Sequence, residues 1–360
     1  MNIDSTSDHC LAELNDLLED MNQADSKYSP TQFWKNASQA IVQEVRSSGF
    51  CDFKSHHSAL MNFVPSYAKS RERPSRLLEA VRGMRLLPDG KMVKRLSDYL
   101  GGRQQALADY RVACAANPIR STFFEIGESA IGEGLLHNIN GVNFSKASLN
   151  YLRGLAFLQQ SPGYSQDSAK SFLEIGGGFG SLGEIVLKNG DENRYLNIDI
   201  PPVLPFSTYY LKSVFGPHVI QSYANTRQFQ KIEIAESFSQ FKGATLPAWQ
   251  LPLLRGTVDC FVNFVSFQEM EPDIVQNYIN LVSPLTRKYV LLRNSRHGKR
   301  IATSTQQVGV QKKTSLDMMI NWFADFDLVN RDSFVFGDES RFGSFKSEVA
   351  VLKRKKRLPK

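Results

Sequence analysis

A chain of 360 residues, 42% apolar and 22% charged, is long enough for two cores and has the composition of a folded globular protein, which excludes a disordered chain. Its net charge of +7 sits almost wholly in one place: residues 1–150 carry 17 basic and 17 acidic side chains, residues 151–352 carry 20 and 19, and residues 353–360 carry six and none. The folded body is therefore close to neutral, which argues against a surface coated for nucleic acid, the four isolated cysteines argue against a zinc knuckle or disulfide framework, and no apolar run approaches the roughly 18 residues of a membrane span.

The first 150 residues read as helices, with Leu11, Leu14, Leu17, Leu18 and Met21 on one face and then Phe33, Trp34, Ala37, Ile41 and Val45 on another. No strand is expected there. The basic run Lys69 to Arg76 precedes a helix built on Leu77, Leu78, Val81 and Met84, and reads as a solvated face or a phosphate patch. His56, His57 and His137 stand without partners. A helix over 148–160 is broken by Ser161-Pro162-Gly163, and from residue 171 strands and helices alternate as in a parallel sheet covered on both faces. The expected strands are 172–175, 195–198, 258–265, 288–293, 328–336 and 347–352, the last two as a hairpin, with helices over 182–187, from 204 to about 214, 272–282 and 315–326. Residues 219–254 show little pattern. The basic tail 353–360 reads as a solvated, disordered terminus, with an electrostatic tether to RNA, DNA or an anionic membrane as the alternative.

Leu173-Glu174-Ile175-Gly176-Gly177-Gly178-Phe179-Gly180 is the most informative stretch, because a glycine cluster between a buried strand and a helix describes a nucleotide-binding turn. Two cofactors compete for it. Gly178 to Gly183 spells G-x-G-x-x-G with Asp199 downstream, as for a dinucleotide. Against that, Glu174 stands where an apolar residue would precede a pyrophosphate loop, and E-x-G-x-G-x-G resembles the first motif of class I S-adenosylmethionine-dependent methyltransferases. Asp199 suits the ribose of either.

Asn263-Phe264-Val265-Ser266-Phe267-Gln268-Glu269-Met270 closes the strongest strand, at the sheet edge where reacting atoms lie. Together with the glycine turn and Asn197-Ile198-Asp199-Ile200-Pro201-Pro202, it resembles the bacterial sugar O-methyltransferase family over about residues 120–300. The family pattern often has a polar residue, frequently His, where this chain has Val265, which leaves a base at 265 in doubt. The resemblance implies an α/β fold with a Rossmann-like, seven-stranded class I methyltransferase sheet and an all-helical amino-terminal domain. Its expected divisions are a lid and substrate domain over 1–147, a cofactor domain over 148–352 and the tail 353–360. It implies methyl transfer from S-adenosylmethionine to a hydroxyl of a sugar or glycoconjugate; the scattered cysteines, read as reduced thiols, suggest the cytoplasm, and no metal is expected. Glu174, Gly176, Gly177, Gly178, Gly180, Asp199 and Asn263 are the expected cofactor residues, and Glu269 or His297 the base that takes the hydroxyl proton. Arg293 and Arg296 suit an anionic sugar, and Asp259, Glu271 and Asp273 add nearby carboxylates without metal-site spacing. The rival readings are a nucleic-acid methyltransferase, a catalytically silent binding protein of the same fold, and an NAD-dependent oxidoreductase.

Overall fold

The computed structural model describes residues 3–68, 98–115, 122–165, 168–304, 307–332, 338–340, 343–345 and 347–356. The basic run at 69–76 and the helix expected after it lie outside the described residues.

The amino-terminal part is mainly helical, with helices Ile3–Met21, Lys35–Ser48, His57–Asn62 and Arg103–Ala115. It is not all-helical. Strands β1 (His137–Ile139) and β2 (Val142–Phe144) form an antiparallel hairpin whose turn is Asn140-Gly141, at φ 54° and 86°. Both turn residues need the left-handed region, which Asn and Gly tolerate best. The helix Lys146–Gln159 starts at a Ser145/Ser148 capping box, so the expected division between 147 and 148 falls inside one helix.

The remaining strands are β3 (Ser171–Ile175), β4 (Arg194–Asp199), β5 (Ile220–Gln221), β6 (Ile232–Glu233), β7 (Gly243–Pro247), β8 (Leu254–Arg255), β9 (Val258–Phe264), β10 (Thr286–Ser295), β11 (Phe326–Asp332), β12 (Asp338–Ser340), β13 (Gly343–Phe345) and β14 (Ser347–Arg354). The main sheet has the order β11-β14-β10-β9-β3-β4-β7-β5. It is parallel from β10 to β5, and β14 runs antiparallel between β10 and β11. This gives eight strands where seven were expected. The extra one is the two-residue edge strand β5. β7 came from the unpatterned region, because G-A-T-L-P lacks both alternation and bulky β-formers, and burial on every residue makes it a strand.

Chain order runs outward from β3 to β4 and β7, then returns to β9 and β10, so the direction of winding reverses between β3 and β9. At that switch point the carboxyl ends of parallel strands leave a crevice. One core lies on each face. Helices Ile234–Gln240, Pro272–Leu285 and Leu316–Trp322 cover one. On the other, Cys10, Leu14, Ile41, Val45, Phe50 and Phe53 of the amino-terminal part share a single cluster with Phe206, Tyr209 and Tyr210 of the helix Leu204–Phe215.

The tail begins later than expected. Lys353 and Arg354 belong to β14, Arg354 donates to the Thr286 carbonyl at 2.8 Å, and Lys355 donates to the Ala324 carbonyl at 2.7 Å. Because Lys353 pairs with Tyr289 and Ser347 with Ser295, the chain leaves the sheet at the amino ends of β9 and β10, opposite the crevice.

Lys54, 3% exposed, locks the amino-terminal segment down. Its ammonium bonds Glu128 at 2.7 Å and lies 4.2 Å from the Tyr210 ring centroid and 4.6 Å from that of Phe179. Lys54→Ala leaves the Glu128 carboxylate buried without its counter-charge, and urea unfolding should show a loss of about 3–5 kcal/mol. A loss below about 1 kcal/mol, as for an exposed pair, would show that Glu128 is relieved in some other way.

Candidate functional site

Beyond β3 the chain bends sharply, with positive φ at Gly176 (74°), Gly178 (60°) and Gly180 (92°). Most of these glycines are required by protein packing. A Cβ on Gly176 would stand 2.3 Å from the Ser266 hydroxyl, and one on Gly177 within 2.7 Å of Asn197, Glu174 and Tyr195 oxygens. On Gly180 it would meet Leu211 at 3.1 Å. Gly178 is different: its nearest neighbour is the Phe63 carbonyl oxygen at 3.6 Å, so it is the glycine of the turn with space over it. The bend is sewn to β4, since the Gly177 amide donates to Asn197 Oδ1 at 3.1 Å and the Gly178 amide to Asp199 Oδ2 at 3.0 Å.

The two acids are not equivalent. Asp199, at the carboxyl end of β4, accepts from the amides of Gly178 and Ile200, the latter at 2.8 Å. Burial pushes its carboxyl up to about 7, those amides pull it back, and the charge of Glu269 pushes it up again. Glu174 was expected among the cofactor residues, but it is fully buried beneath the turn. Its two oxygens accept the hydroxyls of Tyr151 at 2.8 Å and Tyr195 at 2.5 Å, and burial pushes its carboxyl up to about 8. Strand alternation explains this position, because Glu174 shares a face with Phe172, toward the helix that carries Tyr151.

Asn263 was expected to face a ligand, yet its amide is committed to the protein. Nδ2 donates to the Ile175 carbonyl at 2.9 Å and to the Ser266 hydroxyl at 2.6 Å, and Oδ1 accepts from the Phe267 amide at 3.2 Å and from Asn294 at 3.0 Å. Val265 follows at φ 70°, a conformation a β-branched residue adopts only under constraint, with its amide bonded to the Arg293 carbonyl at 2.7 Å.

Glu269 ends the next short turn, 8% exposed, with Lys299 Nζ at 3.1 Å and its own carbonyl accepting from the Thr31 hydroxyl at 3.1 Å. Burial pushes its carboxyl above the ordinary range, while Lys299 and the Trp34 side chain pull it down. Lys299 also lies 5.2 Å from the Phe33 ring centroid, so the Thr31–Trp34 segment closes over this corner. His297 is not brought in. It is exposed on the turn after β10, its backbone amide donating to Ser295 Oγ at 3.3 Å. Arg296 bonds Glu348 at 2.6 Å, and Arg293 is buried. Asp259 lies at the amino end of β9, away from the crevice. Although burial works the other way, the Lys170 amide, Arg287 and Lys288 hold it at about 2.

Sequence reading missed Tyr151, Tyr195, Phe63, Thr31 and Lys299. Trp34 carried a signal, but as a core residue. Also missed was a cleft of about 490 Å³ lined by Tyr28, Tyr223, Trp249, Asp20, Asp25 and Arg227. Trp249 comes just after β7, whose Pro247 is the register partner of Asp199, so the cleft opens along the same edge of the sheet.

No family model matches the chain, and no curated protein matches it. Among solved structures it is similar to mitomycin 7-O-methyltransferase, with 12% identity over 89% of this chain and 99% of that one at a TM-score of 0.37. It is also similar to magnesium protoporphyrin IX methyltransferase from Synechocystis with bound SAM, with 11% identity over 69% and 97% at 0.34. Human N-acetylserotonin methyltransferase in complex with SAM gives 10% over 58% and 53% at 0.31. These likenesses are too distant to carry a function.

The buried acids give stability a direction with pH. A folded carboxyl at about 8 against an ordinary 4.5 means the folded state holds a proton that the unfolded state has lost, so the stability from Glu174 is complete below about pH 4.5 and is lost as pH rises toward 8. Glu174→Gln should flatten the fall in unfolding free energy between pH 5 and 8, measured by urea titration at each pH. An unchanged slope would place the titration elsewhere.

Proposed function

We propose that the protein is an S-adenosylmethionine-dependent methyltransferase whose donor lies over Gly178 and Asp199, and whose acceptor is a sugar hydroxyl delivered beside Glu269. The observation that carries this reading is the Gly178–Asp199 pairing at the switch point: a glycine with open space, bonded to an acid at the end of the adjacent strand. Charge favours this donor over a dinucleotide. Asp199 feels the charges of both Glu174 and Glu269, and three carboxyls here face two cations, Lys299 on Glu269 and Arg293 near Tyr151, the partner of Glu174. A pyrophosphate would be repelled there, and a sulfonium attracted.

When bound, the donor supplies a methyl group already activated by positive sulfur. The chain has to hold, dry and deprotonate. Asp199 would take the ribose hydroxyls, and the Gly176–Gly180 backbone would border the donor, with Glu174 supporting the turn from below. The Asn263 network would set the position of Ser266 and Glu269 rather than touch the donor. Phe63 and the Thr31–Trp34 segment would exclude water. Glu269 would take the hydroxyl proton as the methyl group is transferred, burial having raised its carboxyl above the ordinary range and so made its carboxylate more basic. The sugar acceptor rests on the motif resemblance at 174–180, 197–202 and 263–270.

Calorimetry tests the donor. Affinity for S-adenosylmethionine should rise with pH from about 6 to 8, because ionising Asp199, at about 7, creates the anion that attracts the cation; Asp199→Asn should weaken binding and remove that dependence. Heat with NADH and none with S-adenosylmethionine would make the protein an oxidoreductase instead. Glu269→Gln should keep donor affinity and lower turnover on the acceptor by about 10² to 10⁴. Normal turnover would remove Glu269 as the base.

A further inference from the structure

From Ile274 to Leu316 the chain contains no acidic residue and eight Lys or Arg. Five of these are placed inside the fold: Arg287 and Lys288 on Asp259, Arg296 on Glu348, Lys299 on Glu269, and Arg293 in the interior. The other three, Arg300, Lys312 and Lys313, are exposed and make no ion pair among the described residues. They sit on a loop with its own structure. Ile301 bridges Val310, the Ala302 amide donates to the Val310 carbonyl at 3.0 Å and the Val310 amide to the Arg300 carbonyl at 3.0 Å. Gly309 is pressed so close that a Cβ would stand 2.6 Å from the Arg300 carbonyl oxygen. The pairing presents Ile301, 45% exposed, and Val308, 64% exposed, among the three cations.

The loop borders the site. Lys299 at one end holds Glu269, and at the other the Thr314 hydroxyl donates to the Met270 carbonyl at 2.7 Å and the Gln311 amide to Glu271 at 3.2 Å.

We propose that this loop seats the protein on an anionic lipid surface, so that the acceptor presented at Glu269 is a sugar carried on a lipid. The surface contact stands by itself; the identity of the acceptor rests on the methyl-transfer reading above. Cations alone would serve any polyanion, but Ile301 and Val308 gain only where they can leave water, in the boundary between headgroups and acyl chains. The segment itself carries no acid, and the carboxylate that touches it, Glu271, is half-buried and bonded to the Gln311 amide. The basic carboxyl terminus is a poorer candidate, because β14 delivers it to the opposite edge of the sheet.

The test is sedimentation of the full chain with vesicles of phosphatidylglycerol mixed with phosphatidylcholine, against phosphatidylcholine alone. The protein should partition onto the mixed vesicles only. Arg300→Glu, Lys312→Glu and Lys313→Glu together should lower partitioning on the order of a hundredfold. Ile301→Ser with Val308→Ser should lower it about tenfold, and a chain ending at Lys356 should bind as the full chain does. No wild-type binding, a silent aliphatic pair, or loss with the shortened chain would each overturn the proposal. The second of these would assign the cations to a soluble polyanion such as RNA. Circular dichroism confirms that the variants fold, and donor calorimetry accompanies the vesicle measurements. The calorimetry separates the two readings, since vesicle binding without donor heat would sink the transferase and leave the surface contact.

Discussion

The carboxamide of Asn263 ties the carboxyl edge of the sheet together. Its two ends bond the last carbonyl of β3, the Ser266 hydroxyl, the Phe267 amide and Asn294 of β10, so three strands are held in register where the winding reverses. Everything on that edge follows from this. Ser266 is pressed against Gly176, which must then be glycine, and the chain is forced through positive φ at Val265 before it delivers Glu269. A strained β-branched residue persists only where its surroundings over-determine it, and four hydrogen bonds from one amide supply that constraint.

Charge on this edge is deliberately unbalanced. Glu174, Asp199 and Glu269 are all buried, all raised, and near enough to raise one another in pairs through Asp199, while Lys299 pairs with Glu269 and Arg293 lies near the Tyr151 that bonds Glu174. Burying three carboxyls for stability alone is unfavourable, and the raised protonation of Glu174 and Asp199 lessens the cost. Such an arrangement makes sense if a positive group completes the site, which is the electrostatic case for a sulfonium donor.

The amino-terminal segments are part of this machinery rather than a separate body. Lys54 locks them against the helix Leu204–Phe215, Phe63 stands over Gly178, and Thr31 with Trp34 holds the Glu269 turn. The core on that face is continuous from Leu14 to Tyr209, so the site is built across the chain's two halves.

Much was legible in the sequence where the signal is local. Burial on both faces leaves β3 and β9 rich in apolar residues, the glycine cluster marks a turn with positive φ, and β11 and β14 pair antiparallel as expected. The β1–β2 hairpin was legible too, through Asn140-Gly141, and was passed over among helices. β7 was not, because Gly243-Ala244-Thr245-Leu246-Pro247 carries no strand pattern and becomes a strand only through burial. Sequence by itself determined which residues gather at the sheet edge, since chain order and strand ends fix that. Tertiary structure alone decided how each of them is engaged: Glu174 turned under the bend, Asn263 was consumed by β3 and β10, and His297 was left in solvent. The reason is that hydrogen bonds between residues 88 apart, as from Asn263 to Ile175, leave no trace in local spacing.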